Sequence, residues 1–337
     1  MVTIKDIARE AGVSATLVSF VMNNRLKGRK VYRVSEETEN RVLEVARRLG
    51  YQPNIMARAL RSGESRVIGV IISDIANRFY AEIARGIADW AYQNDYMAIF
   101  GNTDESAEKL SETINLFDAK GVRNFLIVPC EGSEKAIETL AQTQAPMVLI
   151  DRDFPNLGIS SVTLDNVKAA RLLTSGLIDK GCRNIEMVSY RTSLSNIRDR
   201  EQGYLRALEE HGCLHSRIHH PEYGNFDQMQ EIVREAERNG VDGLVFATYR
   251  MALLGRKVMY SCGGAFHDFC RVACFNNYEE LQVFDRDIIF ARQPIERFSS
   301  ESISLLLARI EDRGCPPGKV LLEPEIIDTS SSETFTH

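Results

Sequence analysis

The densest run of side chains able to do chemistry lies near the N-terminus. Arg25-Leu26-Lys27-Gly28-Arg29-Lys30-Val31-Tyr32-Arg33 reads as a loop with five cations and no anion, which suits the phosphates of a nucleic acid. Four histidines, His211, His215, His219 and His220, have spacings that suggest a metal face. Gly212 breaks the helix that such ligation needs, so a solvated loop is expected there, and no metal. The seven cysteines are odd in number and form no Cys-x-x-Cys pair, which fits reduced thiols. Cys270 and Cys274 flank the apolar Val272-Ala273 and read as core thiols. Gly263-Gly264 reads as a turn, and no phosphate loop or nucleophile elbow accompanies any apolar run. An enzyme is therefore not expected, nor a cofactor.

Charge divides the chain into two parts. The 337 residues carry a net charge of −6, yet residues 1–66 hold 13 Lys/Arg against 7 Asp/Glu and the remainder 28 against 40. A basic head on an acidic body points to two parts with different partners. No apolar run approaches the ~20 residues of a membrane span, and the N-terminus shows no leader pattern. The expectation is a cytoplasmic protein.

The head must position that basic loop. Thr3 with Asp6 reads as a helix N-cap, Ile4, Ile7, Ala8 and Ala11 keep helical spacing, and Gly12 ends the turn. Ser14 can cap a second helix carrying Leu17, Val18, Val21 and Met22. Ser35-Glu36-Glu37 opens a third with Val42, Leu43, Ala46 and Leu49, closed by Gly50 and Pro53. Two short helices around a Gly-containing turn make a helix-turn-helix. The stretch from Asn54 to Arg61 is helix-forming, but its Ile55, Met56, Ala57 and Leu60 have too few neighbours to form a core, so it orders only against a partner and DNA.

Beyond the head, apolar β-rich runs alternate with helical stretches in two series. The first has runs at Val67–Ile72, Met97–Gly101, Phe125–Val128 and Met147–Ile150, the second at Ile185–Val188, Gly243–Ala247 and Val272–Phe275. Alternation of this kind implies parallel sheets covered by helices on both faces. The fold class expected is a small all-α helix-turn-helix headpiece on an α/β body of two parallel-sheet lobes. The division is 1–50 for the headpiece, 51–66 for a hinge helix and linker, 67–328 for the body and 329–337 for a frayed tail. Ligands on open α/β sheets sit at the carboxyl ends of the strands, so the cleft between lobes is the default site.

Long ordered motifs carry a resemblance. Thr3-Ile4-Lys5-Asp6-Ile7-Ala8-Arg9-Glu10-Ala11-Gly12-Val13-Ser14, Val34-Ser35-Glu36-Glu37-Thr38 and Gly50-Tyr51-Gln52-Pro53-Asn54 through Gly63 resemble the headpiece of the lactose-repressor (LacI/GalR) family. Ile68 to Ile87, Val148-Leu149-Ile150-Asp151-Arg152, Asp165-Asn166, Arg198 to Tyr204 and Arg292-Gln293-Pro294 resemble its body, which is like a periplasmic sugar-binding protein. The likeness runs from about residue 2 to 328. It implies that Ala15 and Thr16 begin a recognition helix in the major groove, and that Leu60 is a minor-groove wedge that kinks the duplex. Ser14, Asn23 and Tyr51 match phosphate-contacting positions. Thr3, Asn54 and Ala57 lie in the same motifs, and Arg25, Lys27, Arg29 and Lys30 add backbone affinity from the basic loop. Phe20 stands where the family usually has Arg, and could touch a thymine methyl or pack inward.

The resemblance also implies the effector positions Phe79, Tyr80, Asp151 and Arg200, and Arg198, which lies near Arg200, is taken as an effector position beside it. The second lobe departs from the family at Tyr249-Arg250, typically Asn-Asp, and at Phe275-Asn276-Asn277, typically Phe-Asp-Asp. Loss of carboxylates beside Arg198, Arg200 and Arg250 makes the cleft more cationic and points to an anionic effector, a sugar phosphate or acidic sugar. The competing reading is a neutral cleft, with Arg250 paired to Asp151 or Glu279, that takes a neutral sugar or no ligand at all.

The function so implied is a homodimeric, sequence-specific DNA-binding regulator. It is expected to repress carbohydrate-utilisation genes, with operator affinity set by a small-molecule effector. The alternative is a small-molecule-binding protein with only non-specific DNA contact. The tail lacks heptad leucines, so a tetramer is not expected.

Overall fold

A computed structural model describes residues 2–27, 34–51, 66–213, 215–261, 266–276, 278–282 and 287–330, with side chains at 23–27 and 282 excepted. Arg29, Lys30, Asn54, Ala57 and Leu60 lie outside the described residues, as do the side chains of Asn23, Arg25 and Lys27.

Helix α1 (Ile4–Ala11) begins with a reciprocal capping box between Thr3 and Asp6 and ends at Gly12, whose φ of 65° only glycine adopts freely. Helix α2 (Ala15–Lys27) starts at Ser14, whose hydroxyl accepts from Leu17 N at 3.2 Å. It runs further than expected: Arg25 and Lys27 belong to this helix and not to a loop, because Arg, Leu and Lys are good helix formers and Gly28 is the first breaker. Helix α3 (Glu36–Arg48) is capped by Ser35. Ile7, Val18, Val21 and Val42 are fully buried where the three helices meet, so the helix-turn-helix has a core of its own.

The body follows one plan twice. Strands β1 (Val67–Ile72), β2 (Met97–Asn102), β3 (Asn124–Ile127), β4 (Met147–Ile150) and β5 (Ser160–Leu164) build the first sheet, and β6 (Ile185–Val188), β7 (Arg217–His219), β8 (Gly243–Phe246), β9 (Arg271–Phe275) and β10 (Ile288–Arg292) the second. The order is β5-β4-β3-β1-β2 in one and β10-β9-β8-β6-β7 in the other, and every one of these pairs is parallel. Both orders reverse beside the first strand of the lobe, between β1 and β3 and between β6 and β8. Such switch points open a crevice at the strands' carboxyl ends. The short polar strands β5 and β7 carry too little apolar signal for periodicity to reveal them.

Helices α4 (Arg78–Gln93), α5 (Ala107–Ala119) and α6 (Glu134–Gln142) cover the first sheet; α7 (Asn166–Asp179), α8 (Ser195–Glu210), α9 (Phe226–Arg238) and α10 (Tyr249–Ser261) cover the second. Two short helices, α11 (Phe266–Phe269) and α12 (Glu279–Gln282), complete the second lobe. The chain crosses between lobes three times. It passes from β5 into α7, from β10 back into α13 (Ile295–Glu311) against α4, and from β11 (Lys319–Leu322) on the first sheet to β12 (Glu325–Asp328) on the second. The histidines do not form one solvated loop: His219 is buried on β7, with Nε2 at 2.6 Å from Glu186 Oε2. Among the described residues no helix is long and apolar enough to cross a membrane.

Candidate functional site

A cavity of ≈ 290 Å³ lies between the lobes, at the two switch points. The segments after β1, β3 and β4 supply Asp74, Phe79, Tyr80, Glu131, Asp151 and Arg152; those after β6 and β8 supply Tyr190, Thr192, Tyr249 and Arg250, and the end of β9 supplies Phe275 and Asn276. Asp151 and Asn276 occupy equivalent places, each just past a strand and each with positive φ, 68° and 58°. Asp and Asn tolerate this left-handed turn better than other non-glycine residues, and it swings both side chains into the cleft.

Asp151 is the centre of the polar wall. Its Oδ2 accepts from the Tyr80 hydroxyl at 2.9 Å and from Asn196 Nδ2, across the cleft, at 3.0 Å. Its Oδ1 is buried and has no hydrogen-bond partner. Arg200, on α8, donates from Nε to Asn166 at 2.8 Å and from Nη1 to the Ala247 carbonyl at 2.7 Å, and its guanidinium stacks 3.7 Å over the Phe275 ring. Burial pulls its pKa below the ordinary arginine value, opposed by the charge of Asp151. Burial also raises the phenols: Tyr80 stands well above its usual range, and Tyr190 is pushed up to about 12. These tyrosines are neutral hydroxyls at pH 7, able to donate or accept.

Phe79, Tyr80, Asp151, Arg200, Tyr249, Arg250 and Asn276 thus come together as the motifs suggested. Arg198 does not. It is exposed and off the cavity wall, because two residues along a helix turn the side chain about 200° from Arg200. Asn196, four residues before Arg200, shares its face and takes the inward place; the i, i+4 rule could have found it.

The cleft is not cationic. Arg152, Arg191, Arg200 and Arg250 line it, but so do Asp74, Glu105, Glu131 and Asp151. Arg250 pairs with neither Asp151 nor Glu279: its Nη1 reaches Asp74 Oδ2 in the other lobe at 2.7 Å. Other bonds cross the cleft beside it. Glu131 accepts from Thr192 Oγ1 at 3.0 Å and from Ser193 N at 2.8 Å, and Arg78 lies 4.5 Å over the Tyr278 ring.

In the headpiece, Ala15 and Thr16 are exposed at the start of α2, as a recognition helix needs. Ser14 and Thr3 serve as helix caps, and Tyr51 packs part-buried against the core. Phe20 is half-buried.

Two family models describe most of this architecture. Residues 3–54 match "Bacterial regulatory proteins, lacI family", and residues 65–236 match "Periplasmic binding proteins and sugar binding domain of LacI family". A relative from Clostridium saccharobutylicum, the HTH-type transcriptional regulator RegA, is 35% identical over 98% of this chain and 99% of its own. The chain belongs to the lacI family. It is a helix-turn-helix transcriptional regulator with an effector-binding body. Catabolite control protein A of Priestia megaterium is 39% identical over 63% of this chain and 62% of its own. The structure of the Lac repressor dimer bound to operator and the anti-inducer ONPF superposes with a TM-score of 0.81 over 98% of this chain and 99% of that one. At 20% identity that likeness speaks for the fold.

Within this lacI-family body the Asp74–Arg250 pair straps the cleft at its rim, with side chains 26% and 48% exposed. Pairs so exposed contribute about 0–1 kcal/mol. Arg250→Ala is therefore expected to change affinity for a cleft ligand by no more than about fivefold. Calorimetry at low and high salt checks this: salt weakens the strap in the parent protein and changes little in the variant.

Proposed function

We propose that the regulator is a cytoplasmic homodimeric repressor, without enzymatic activity, whose operator affinity is set by a small neutral polyhydroxy compound in the interlobe cleft. The observation that carries the effector class is the buried, unpartnered Oδ1 of Asp151. A buried acceptor without a donor costs about 1–3 kcal/mol, and a ligand hydroxyl recovers it. Gln293 Oε1 on the cleft wall is a second buried acceptor without a partner. Anions are disfavoured: Arg152 and Arg250 already hold carboxylates, and a like charge 4 Å from Asp151 costs ~4 kcal/mol at an effective dielectric constant of 20. The ≈ 290 Å³ cavity is at the small end for ligand pockets, a monosaccharide's scale. Phe79, Tyr80 and Phe275 give the wall apolar aromatic surface for its carbons.

Coupling follows from the cross-cleft bonds. A ligand that bridges Asp151 on one side to Asn196, Arg200 and Gln293 on the other favours the closed lobes. It shifts operator affinity only by its preference for that state. Exposed Met97 and Phe100 along edge strand β2, with Tyr92 at the end of α4, offer an apolar edge for a second copy. A two-fold dimer presents two α2 helices, so it reads an inverted repeat. In this reading Ala15 and Thr16 meet base edges. The basic residues Arg25, Lys27, Arg29 and Lys30, with Thr3, Ser14, Asn23 and Tyr51, meet the backbone; Asn54, Ala57 and Leu60 enter the minor groove, and Phe20 meets a methyl or the core.

Selection from random duplex DNA tests the DNA half. The expected product is an inverted repeat, with half-site bases that change in an Ala15 or Thr16 variant and protection lost on deleting residues 1–63. Recovery of no consensus, with only salt-limited binding, would favour the alternative of a small-molecule-binding protein with non-specific DNA contact.

A further inference from the structure

We propose that Glu105 is a built-in counter-anion that fixes the charge selectivity of the cleft, filling on Arg152 the place that a ligand phosphate or carboxylate would otherwise take. The inference rests on the cleft being the effector site, and names the residue that keeps anions out of it. Arg152 is 4% exposed and lines the cavity next to Asp151. Its two terminal nitrogens donate as a fork to Glu105, Nη1 to Oε2 at 2.6 Å and Nη2 to Oε1 at 2.8 Å, and Nη1 also reaches the Pro129 carbonyl at 2.8 Å. That parallel pair is the geometry by which arginine recognises carboxylates and phosphates in ligands. The third nitrogen, Nε, is buried without a hydrogen bond and faces Asp151 Oδ2 at 3.7 Å, so Asp151 and Glu105 flank the guanidinium on different edges.

Two features mark the carboxylate as supplied rather than intrinsic. Glu105 comes from the turn between β2 and α5, where Asp104 and Glu105 are consecutive non-glycine residues at φ of 49° and 58°. Side chains rarely adopt this region, and two in succession need support. It is present: Asp104 is held by Asn102 and Lys109, and Glu105 N donates to the Ser73 carbonyl at 2.9 Å. The turn is thus bent so that an otherwise exposed carboxylate, 43% accessible, reaches a buried cation. Being exposed, Glu105 can be changed without opening the core, whereas Arg152 cannot give up its charge. Removing the carboxylate leaves a desolvated fork facing a solvent-connected cavity, and a small oxyanion restores the balance.

The test uses inorganic phosphate as the probe on the full chain, by calorimetry and thermal shift at constant ionic strength with chloride as control. The parent protein is expected to show no saturable phosphate binding in the cleft. Glu105→Gln, which keeps the side chain's shape, should bind phosphate at least about tenfold more tightly, and Glu105→Gly, which also relieves the positive φ, should do the same. Arg152→Lys placed in the Glu105→Gln background should lose that gain, since an ammonium cannot form the fork. Phosphate binding equal in parent and variants would overturn the proposal, as would folded Glu105 variants that gain none. Because phosphate binding is read directly, its failure is distinct from failure of the effector reading, which shows as neutral polyols leaving operator affinity unchanged.

Discussion

Replacing Gly203 with alanine is expected to lower the stability of the body by about 1–3 kcal/mol, at the upper end of that range. A Cβ at Gly203 would lie 2.2 Å from the Val167 carbonyl oxygen, 2.9 Å from Ala170 Cβ and 3.0 Å from Arg171 N. Two of those three atoms are backbone of α7, so no side chain can swing aside and the helices themselves must part. Helix α8 carries Asn196 and Arg200 into the cleft, so its displacement also moves two groups on the second-lobe wall. Thermal unfolding should show a fall of roughly 3–10 °C, with weakened ligand response. An unchanged melting temperature would mean that α7 and α8 do not approach as closely as described.

Asp151→Asn is expected to weaken binding of a neutral polyol by roughly tenfold to a hundredfold while leaving the fold intact. Asparagine adopts the left-handed φ of 68° nearly as readily as aspartate, so the turn survives. The chemistry does not. The carboxylate offers acceptors to Tyr80, to Asn196 and to the ligand at once. An amide replaces one charged acceptor oxygen with an NH2, so a charge-assisted bond from a ligand hydroxyl gives way to a weaker neutral one. Calorimetry with the parent protein's best neutral ligand reads the loss, and circular dichroism confirms that the fold is kept. Equal affinity in the two proteins would remove Asp151 from the site.

Much of this site was legible in the sequence through the resemblance to the family, whose effector positions lie at fixed offsets from strong local signals. Asp151 follows an apolar strand, Phe79 and Tyr80 open an amphipathic helix, and Arg200 precedes Gly203-Tyr204 by one turn. What could not be read depends on contacts between distant segments. Arg250 meets Asp74 across 176 positions, which removed the cationic cleft expected from Arg250 and the missing carboxylates. Glu105 reaches Arg152 only through two residues of unusual backbone, a conformation that composition does not announce. Proximity in sequence groups Arg198 with Arg200, yet helical geometry places it on the opposite face. His219 sits in a strand too short to show alternation, so its burial against Glu186 was invisible. The second helix outran its expected end because residues chosen as loop cations are also good helix formers.

The most direct test of the account is operator affinity measured by fluorescence anisotropy, with and without a neutral polyol returned by thermal-shift screening, in the parent protein and in Asp151→Asn. The account predicts that the ligand changes operator affinity at least severalfold in the parent, and that the concentration required rises tenfold or more in the variant. A ligand that fills the cleft saturably yet leaves operator affinity unchanged would contradict it.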